Sequence, residues 1–174
     1  MPCFAAGAIV RGMEHLWAPW RNRYVTGEEK PGEDLFRRLA QSSDDAANFI
    51  LARTKASFAV LNRFPYNLGH LMVCPYREVD DLASLSPQES ADLWALVNRM
   101  VEALRKAMKP EGFNIGLNLG TAAGAGVPRH LHVHIVPRWP NDGNFLTTVG
   151  ATRIHPGDLP AVYAQLRNAL EGGS

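Results

Sequence analysis

The fold is decided by the stretch Arg129-His130-Leu131-His132-Val133-His134-Ile135-Val136-Pro137-Arg138-Trp139, in which three of the six histidines of the chain alternate with apolar residues. Successive side chains of a β-strand point to opposite faces. This spacing therefore predicts one strand that carries His130, His132 and His134 on one face and an apolar surface on the other. The β-branched residues at positions 133, 135 and 136 favour a strand over a helix. Three groups that titrate near neutral pH would then lie in a row.

Three interpretations of these histidines compete. Imidazoles two residues apart on a strand can hold zinc together with a third ligand, leaving one position open for water. A neutral imidazole can instead attack phosphorus as a nucleophile, while neighbouring histidines orient it and move protons. In the third interpretation the rings are structural and are satisfied by hydrogen bonds. Three alternating histidines beside a glycine-rich loop argue against a purely structural role.

The surroundings of the histidines favour phosphoryl or nucleotidyl chemistry over a metal site. The segment Gly120–Pro128 leads directly into them, and its small residues let backbone N–H groups approach an anion closely. Together with His70, this loop supplies hydrogen-bond donors that suit a phosphate oxygen. No cysteine or carboxylate lies near enough in sequence to be an evident further metal ligand, although a distant one stays open.

Two strands and a turn precede this region. Ser57–Asn62 and Gly69–Pro75 are rich in apolar and β-branched residues, and Arg63–Leu68 between them holds the turn residues Pro65 and Asn67. The pattern predicts an antiparallel hairpin. Its connecting end would carry Asn62 and His70.

Other elements follow from capping signals and periodicity. Ser86-Pro87-Gln88-Glu89 predicts a helix start with a capping box, and Lys109-Pro110 predicts its end. We expect Trp94 in this helix to be part of the core. Phe113–Leu119 alternates strictly and predicts a half-buried strand, and Asp158–Leu170 predicts a C-terminal helix.

Apolar residues earlier in the chain suggest short helical pieces. They lie at positions 35, 36 and 39 and again at positions 49 to 51, on either side of the polar stretch Gln41–Asp45.

Composition excludes several classes of protein. The chain of 174 residues is 46% hydrophobic and 20% charged, with a net charge of +1, which fits one globular domain and gives nucleic acid no bulk electrostatic attraction. No apolar run reaches the length that spans a bilayer. Cys3 and Cys74 are isolated, so neither a disulfide framework nor a Cys-x-x-Cys site is expected. We expect a cytoplasmic location. We expect residues 1–12 to be a disordered extension that precedes Met13, and 13–174 to be the single domain.

These features together resemble the histidine-triad (HIT) superfamily. His130-Leu131-His132-Val133-His134-Ile135-Val136 matches its signature of three histidines alternating with apolar residues. The hairpin with Asn62 and His70 resembles the nucleotide-binding hairpin of the branch that cleaves dinucleoside polyphosphates. Further segments resemble those of bacterial proteins grouped with diadenosine tetraphosphate phosphorylases. They are Leu16–Arg21, Gly112–Gly116 and Val136–Trp139, the last followed by Asp142 and Asn144-Phe145. The resemblance implies an α+β fold with an antiparallel sheet of about five strands and two main helices, and a sheet that continues across a homodimer or higher homo-oligomer.

The resemblance also implies unequal roles for the histidines. His132 looks like the nucleophile that attacks the α-phosphorus and carries the nucleotidyl group. His134 would bind the phosphate and help the leaving group, while His130 would orient the triad by hydrogen bonds. His70 would support the site from the hairpin.

The implied substrate site surrounds them. Asn62 would bind ribose, Val60 and Met72 would lie against the base, and Asn118 would contact phosphate with the backbone of residues 124 to 126. The complete substrate-binding set is Asn62, Val60, Met72, Asn118, Gly124, Ala125, Gly126 and Trp139.

Two departures from the family pattern bear on metal and acceptor. Many bacterial relatives carry a Cys-x-x-Cys before the hairpin that helps hold a structural zinc, where this chain reads Asp34-Leu35-Phe36-Arg37. We therefore expect no zinc and no tightly bound cofactor; magnesium could enter only as the metal complex of the substrate. Relatives also often place serine or glutamine just before the triad, where this chain has Ala125 and Gly126. The choice between water and phosphate as acceptor depends on this position.

The leading hypothesis is an enzyme that cleaves dinucleoside polyphosphates, such as diadenosine tetraphosphate, by phosphorolysis or hydrolysis through a nucleotidyl-histidine. A purine nucleoside phosphoramidase that cleaves P–N bonds is the first alternative. A nucleotide-binding regulatory protein with weak catalysis is the second. None of the three requires a nucleic acid or a membrane as partner.

Overall fold

A computed structural model describes residues 32, 34–140, 142 and 158–172. The expected extension at residues 1–12, the Leu16–Arg21 motif and Asn144-Phe145 lie outside the described residues. Within them the chain forms a five-stranded antiparallel sheet and three α-helices. The helices are α1 Leu35–Gln41, α2 Pro87–Met108 and α3 Leu159–Glu171. The strands are β1 Ile50–Arg53, β2 Ser57–Leu61, β3 Leu71–Pro75, β4 Gly112–Gly116 and β5 Val133–Arg138.

The strand order β1-β2-β3-β5-β4 places β5 between the hairpin and the edge strand β4. The predicted hairpin is confirmed, since β2 and β3 pair antiparallel from Ser57 opposite Pro75 to Leu61 opposite Leu71. On the other side β5 continues the sheet, with His134 opposite Met72 of β3 and opposite Gly116 of β4. His134 therefore lies in the middle of the sheet, beside the hairpin.

The prediction of one strand through all three histidines is wrong in its extent. β5 begins at Val133, so His134 is in the sheet while His130 and His132 precede it. The reason is that the chain before Val133 pairs elsewhere: the N–H of Leu131 donates to the carbonyl of Val79 at 2.6 Å. The alternation of faces still holds, because the apolar residues between the histidines all belong to the core on the helix side of the sheet.

The two faces of the sheet are covered differently. On one face α2 contacts β2, β3 and β5, and α3 packs on α2 and on β1. Their buried residues form the larger core. On the other face α1 contributes Phe36, 1% exposed, to a smaller cluster with Ile50, Phe58, Val60 and Met72. This second face, which α1 covers only in part, is the one that the histidine rings reach.

Helix α2 begins as the sequence predicts. The hydroxyl of Ser86 accepts from the N–H of Glu89, and the Glu89 carboxylate accepts from the N–H of Ser86, which is a complete capping box. The C-terminal helix also begins after its predicted first residue, Asp158. The placement of Trp94 in the core is wrong, because it is 40% exposed. The buried stripe of α2 runs through Leu93, Leu96, Val97 and Met100, and position 94 lies beside that stripe.

The short helical pieces are half right. Helix α1 covers positions 35 to 41, but residues 50 to 53 form β1, which pairs with β2. A short apolar run does not distinguish a buried strand from a helix by its period. The strand predicted over Phe113–Leu119 is shorter, since β4 ends at Gly116. Among the described residues, no helix is both long and apolar enough to cross a membrane.

We expect Gly69→Ala to lower the free energy of unfolding by about 1–2 kcal/mol. Gly69 has φ +74°, and a Cβ there would lie 2.8 Å from Sδ of Met108 and 3.2 Å from Cδ2 of Leu104. Urea unfolding of the variant and the wild type measures the difference. Gly112→Ala is the matched control, because a Cβ at that position meets only the Cβ of Arg138 at 3.9 Å. Equal losses in both variants would contradict the prediction.

Candidate active site

The end of the β2–β3 hairpin holds Asn62 and His70 against each other. The N–H of Asn62 donates to the carbonyl of His70 at 2.9 Å. The side-chain amide of Asn62 lies 3.3 Å from Nδ1 of His70. The positive φ of Gly69, which glycine adopts without strain, brings the chain into β3 at this point. The hairpin thus delivers an imidazole, 1% exposed, to the middle of the sheet.

A hydrogen bond joins this imidazole to the triad. Nε2 of His70 lies 2.9 Å from Nδ1 of His134. Nδ1 of His70 accepts from the backbone N–H of Tyr66 at 3.0 Å, so in the neutral ring the proton is on Nε2. His70 therefore donates to His134, and the proton of neutral His134 must be on its own Nε2. His134 presents this N–H as a donor.

The middle histidine has the opposite tautomer. Nδ1 of His132 lies 2.8 Å from the carbonyl oxygen of His130. A carbonyl oxygen only accepts, so Nδ1 carries the proton and Nε2 of neutral His132 keeps a lone pair. The ring of His130 is anchored in the same way, since its Nε2 donates to the carbonyl of Pro75 at 2.8 Å. Main-chain carbonyl oxygens thus fix the tautomers of two of the four imidazoles, those of His130 and His132.

Burial keeps the three triad rings uncharged at neutral pH. Desolvation lowers the pKa of His130 and of His132 below the usual 6.5. Desolvation, with a smaller contribution from the neighbouring His132, lowers the pKa of His134 to about 4. The ring of Phe36 adds to this apolar environment, because its centroid lies 4.9 Å from that of His132 and 5.4 Å from that of His130. The lone pair on Nε2 of His132 is consequently available at pH 7.

The rings of His132 and His134 open into a cleft of about 1030 Å³. The cleft brings together seven of the residues predicted from the sequence. His70 and His130 are buried and do not line it. Those seven are Val60, Asn62, Met72, Gly124, Gly126, His132 and His134. Asn118, Ala125 and Trp139 do not line the part of the cleft that the described residues form.

The glycine-rich loop folds back on itself beside the histidines. It contains one turn of 3-10 helix over Thr121–Ala123, between Gly120 at φ +77° and Gly124 at φ +86°. The N–H groups of Gly124 and Ala125 donate within the loop, to the carbonyls of Thr121 and Gly120. Among the described residues, no hydrogen bond engages the N–H of Gly126. The amide of Asn118 braces the loop by donating to the carbonyl of Gly124 at 3.5 Å.

Several cleft residues were not predicted from the sequence. Phe36, Phe49, Arg63 and Phe64 line the cleft, and so does Tyr66, whose ring is stacked on His70 at 4.8 Å between centroids. The sequence contained one signal for Tyr66, because an aromatic residue among the residues of a surface turn is more typical of a binding site than of the core. The sequence contained no such signal for Phe36 of α1 or for Phe49 before β1, because only the tertiary structure brings these residues to the cleft.

The charge of the cleft suits an anion. Its charged residues, within the described part of the chain, are Arg38 and Arg63, and no carboxylate lines it there. The described residues also contain no group of three or more His, Cys, Asp or Glu side chains that could hold a metal ion. The absence of zinc remains a prediction.

An antiparallel sheet that aims neutral imidazoles of fixed tautomer into a cationic cleft defines a candidate enzyme with a histidine nucleophile. Comparison with known proteins agrees in class. Residues 43–141 match the HIT domain family, and the chain belongs to that family.

Two relatives and one structure show how far the likeness extends. The chain is 41% identical over 153 residues to an AP-4-A phosphorylase of Mycobacterium tuberculosis, covering 83% of this chain and 77% of that protein. It is 40% identical over 102 residues to a Schizosaccharomyces pombe bis(5'-nucleosyl)-tetraphosphatase (asymmetrical), covering 59% and 56%. A zinc-bound histidine triad family protein from Mycobacterium smegmatis superposes with a TM-score of 0.64 at 29% identity, covering 79% of this chain and 92% of that one.

We expect the stability of the protein to fall as the pH falls from about 6.5 to about 4. Over this range the unfolded chain takes up a proton at position 134, while folded His134 does not until its pKa of about 4 is reached. The unfolded state then binds more protons, so acid favours unfolding. Urea titrations across this range measure the slope, and the slope should decrease in His134→Gln. An NMR titration that places the pKa of His134 near 6.5 would contradict the prediction.

Proposed function

We propose that this protein cleaves dinucleoside polyphosphates through a covalent intermediate in which the nucleotidyl group is bonded to His132. The observation that carries the proposal is the 2.8 Å hydrogen bond from Nδ1 of His132 to the carbonyl of His130, which leaves Nε2 of a cleft-lining ring unprotonated. Such a nitrogen is a nucleophile for phosphorus. The names of the relatives from Mycobacterium tuberculosis and Schizosaccharomyces pombe support this class of substrate.

The first step transfers the nucleotidyl group to the protein. Nε2 of His132 attacks the α-phosphorus, a P–N bond forms, and the P–O bond to the remaining polyphosphate breaks. The electron pair of that bond leaves with the bridging oxygen. The remaining polyphosphate leaves as an anion, and the Nε2–H of His134 stabilises it by donating a hydrogen bond to this oxygen or to a phosphate oxygen beside it, while His70 holds His134 in that tautomer.

The second step releases the nucleotide. An oxygen of water or of inorganic phosphate attacks the same phosphorus, the P–N bond breaks, and its electron pair returns to His132. When water is the acceptor its proton passes to solvent, and when phosphate is the acceptor an unprotonated oxygen attacks. Hydrolysis yields a nucleoside monophosphate when the α-phosphate was attacked, and phosphorolysis yields a nucleoside diphosphate.

The cleft supplies places for the parts of the nucleotide. Val60 and Met72 offer an apolar surface beside Phe36, and we assign the base to it. Asn62 at the end of β2 is assigned to the ribose. The N–H of Gly126, which makes no hydrogen bond within the described part of the chain, is assigned to the phosphate together with the Nε2 proton of His134. Ala125 has no side-chain hydrogen-bond donor, so the acceptor in this protein is positioned by backbone groups.

One assay tests the function. Diadenosine tetraphosphate is incubated with the protein, with and without inorganic phosphate, and the products are separated by chromatography. ATP with ADP formed only in the presence of phosphate indicates phosphorolysis; ATP with AMP, or ADP alone, indicates hydrolysis. No cleavage of the dinucleotide, with cleavage of an adenosine phosphoramidate, would replace the proposal by the phosphoramidase alternative.

In the same assay His132→Ala should lower turnover by a factor of about 10³ or more, because it removes the attacking atom. Calorimetry should show that nucleotide still binds. Asn98→Ala, an exposed position of α2 outside the cleft, is the matched control and should keep wild-type turnover. Substantial residual activity in His132→Ala would rule out His132 as the nucleophile.

We also propose that two subunits pair through β4. The other edge of the sheet is occupied, because Tyr163 and Arg167 of α3 donate to the outer carbonyls of Ile50 and Leu51 in β1. At the β4 edge Ile115 is 44% exposed. An edge strand that no other described strand pairs with, and that carries an exposed apolar side chain, is a template for pairing with a second chain.

Ile115→Lys should therefore convert the oligomer to monomer, since it places a charge in the buried centre of the pairing. Analytical ultracentrifugation measures the change in mass. Leu82→Lys is the control, because Leu82 has a similar exposure of 38% but lies in a 3-10 turn away from β4. A wild-type protein that is already monomeric would contradict the proposal.

A further inference from the structure

A network of partly buried hydrogen bonds lies at the far end of β5, outside the cleft. The carboxylate of Asp142, 9% exposed, accepts from Nε and Nη2 of Arg138 at 2.6 and 2.7 Å. It also accepts from the side-chain amide of Asn67 at 2.8 Å and from the N–H of Trp139 at 3.3 Å. The catalytic scheme described above uses none of these groups. Their placement therefore needs a different reason.

The Asn67 amide group connects this network to the turn of the β2–β3 hairpin. Its NH₂ donates to Asp142 and also to the carbonyl of Pro137 in β5 at 3.0 Å. Its own oxygen accepts from the N–H of Leu68 at 3.0 Å. The side chain of Asn67 thus makes three hydrogen bonds. One ties the turn directly to β5, the strand that carries His134, and another ties it to Asp142, which is itself paired with Arg138 of β5.

The same turn sets the proton positions in the site. The carbonyl of Asn67 accepts from the N–H of His70 at 3.1 Å. The N–H of the preceding residue, Tyr66, donates to Nδ1 of His70 at 3.0 Å. It is the shorter of two contacts that place the His70 proton on Nε2, the other being the Asn62 amide at 3.3 Å from the same nitrogen. If the turn moved, the Tyr66 bond would be lost and only the longer contact with the Asn62 amide would hold Nδ1. A fraction of His70 could then protonate Nδ1 and present an acceptor to His134.

We infer that Asn67 and Asp142 are positioning residues: their hydrogen bond holds the hairpin turn so that Tyr66 keeps His70 in the tautomer that donates to His134. In this role they act through His70 and touch no substrate. The inference rests on the proposed function for its effect on turnover, but the tautomer itself is a property of the free protein. Asp142 acts as a fixed acceptor, held by its two hydrogen bonds from Arg138.

The matched pair of variants is Asn67→Ala and Asn114→Ala. Both remove one side chain from the same network, because Oδ1 of Asn114 accepts from Nη1 of Arg138 at 2.6 Å. Only Asn67 reaches the turn. Asp142→Asn keeps the shape of the side chain and removes the charge, so it serves where Asn67→Ala does not fold.

The first readout is the tautomer, from long-range ¹H–¹⁵N correlation spectra of the histidine side chains. We expect wild type and Asn114→Ala to show His70 protonated at Nε2, and Asn67→Ala and Asp142→Asn to show a mixture. The second readout is kinetic. Asn67→Ala should lower kcat by about 10- to 100-fold, with KM changed less than about twofold. The double variant of Asn67→Ala and Asp142→Asn should be no slower than the slower of the two single variants, because both changes break the same hydrogen bond.

Two results would overturn the inference: an unchanged His70 tautomer in the folded Asn67→Ala protein, or equal kinetic losses in Asn67→Ala and Asn114→Ala. A merely stabilising role would lower the melting temperature of both variants and leave the tautomer alone. If the wild type cleaves no dinucleoside polyphosphate, the proposed function fails, and the spectra alone decide the positioning role.

Discussion

The site depends on one hydrogen bond, between Nδ1 of His132 and the carbonyl of His130. A buried imidazole without a fixed partner can exchange tautomers, and its lone pair then spends only part of the time on the outer nitrogen. Here a carbonyl, which cannot donate, removes that freedom. Burial removes the other competing state, the imidazolium, by lowering the pKa of His132. Together the two effects leave one nucleophilic nitrogen on one ring.

This bond is possible because the sheet stops before His132. Alternation alone predicts that the strand continues back to His130, and in a continued strand its carbonyl would be available to a neighbouring strand. Because β5 begins at Val133, the His130 carbonyl can turn towards the ring of His132 instead. The Leu131 N–H bond to Val79 satisfies the backbone where the sheet does not. The departure from regular structure lies at the functional position, as expected where a local rule is given up for chemistry.

What could be predicted from the sequence was what short-range rules determine. The capping box at Ser86, the hairpin and the face alternation around the histidines each depend on residues within a few positions of one another. The contact of Phe36 with the triad could not be predicted, since it joins segments about a hundred residues apart. Neither could the exposure of Ile115, because alternation shows that a face is apolar and not what covers it. For β1, the three apolar residues before Arg53 are too few to show a periodicity.

The histidines become unequal through the main chain and not through their own chemistry. His132 and His134 are identical side chains two residues apart, yet one presents a lone pair and the other an N–H. A main-chain carbonyl determines the first, and a chain of bonds from Tyr66 through His70 determines the second. The two tautomers are therefore set from opposite sides, by the segment before β5 and by the hairpin. Since β3 and β5 are neighbours in the sheet, their register of Met72 opposite His134 is what brings both settings to one cleft. A one-residue slip between these strands would turn His134 to the other face, so the geometry of the candidate site depends on the sheet register.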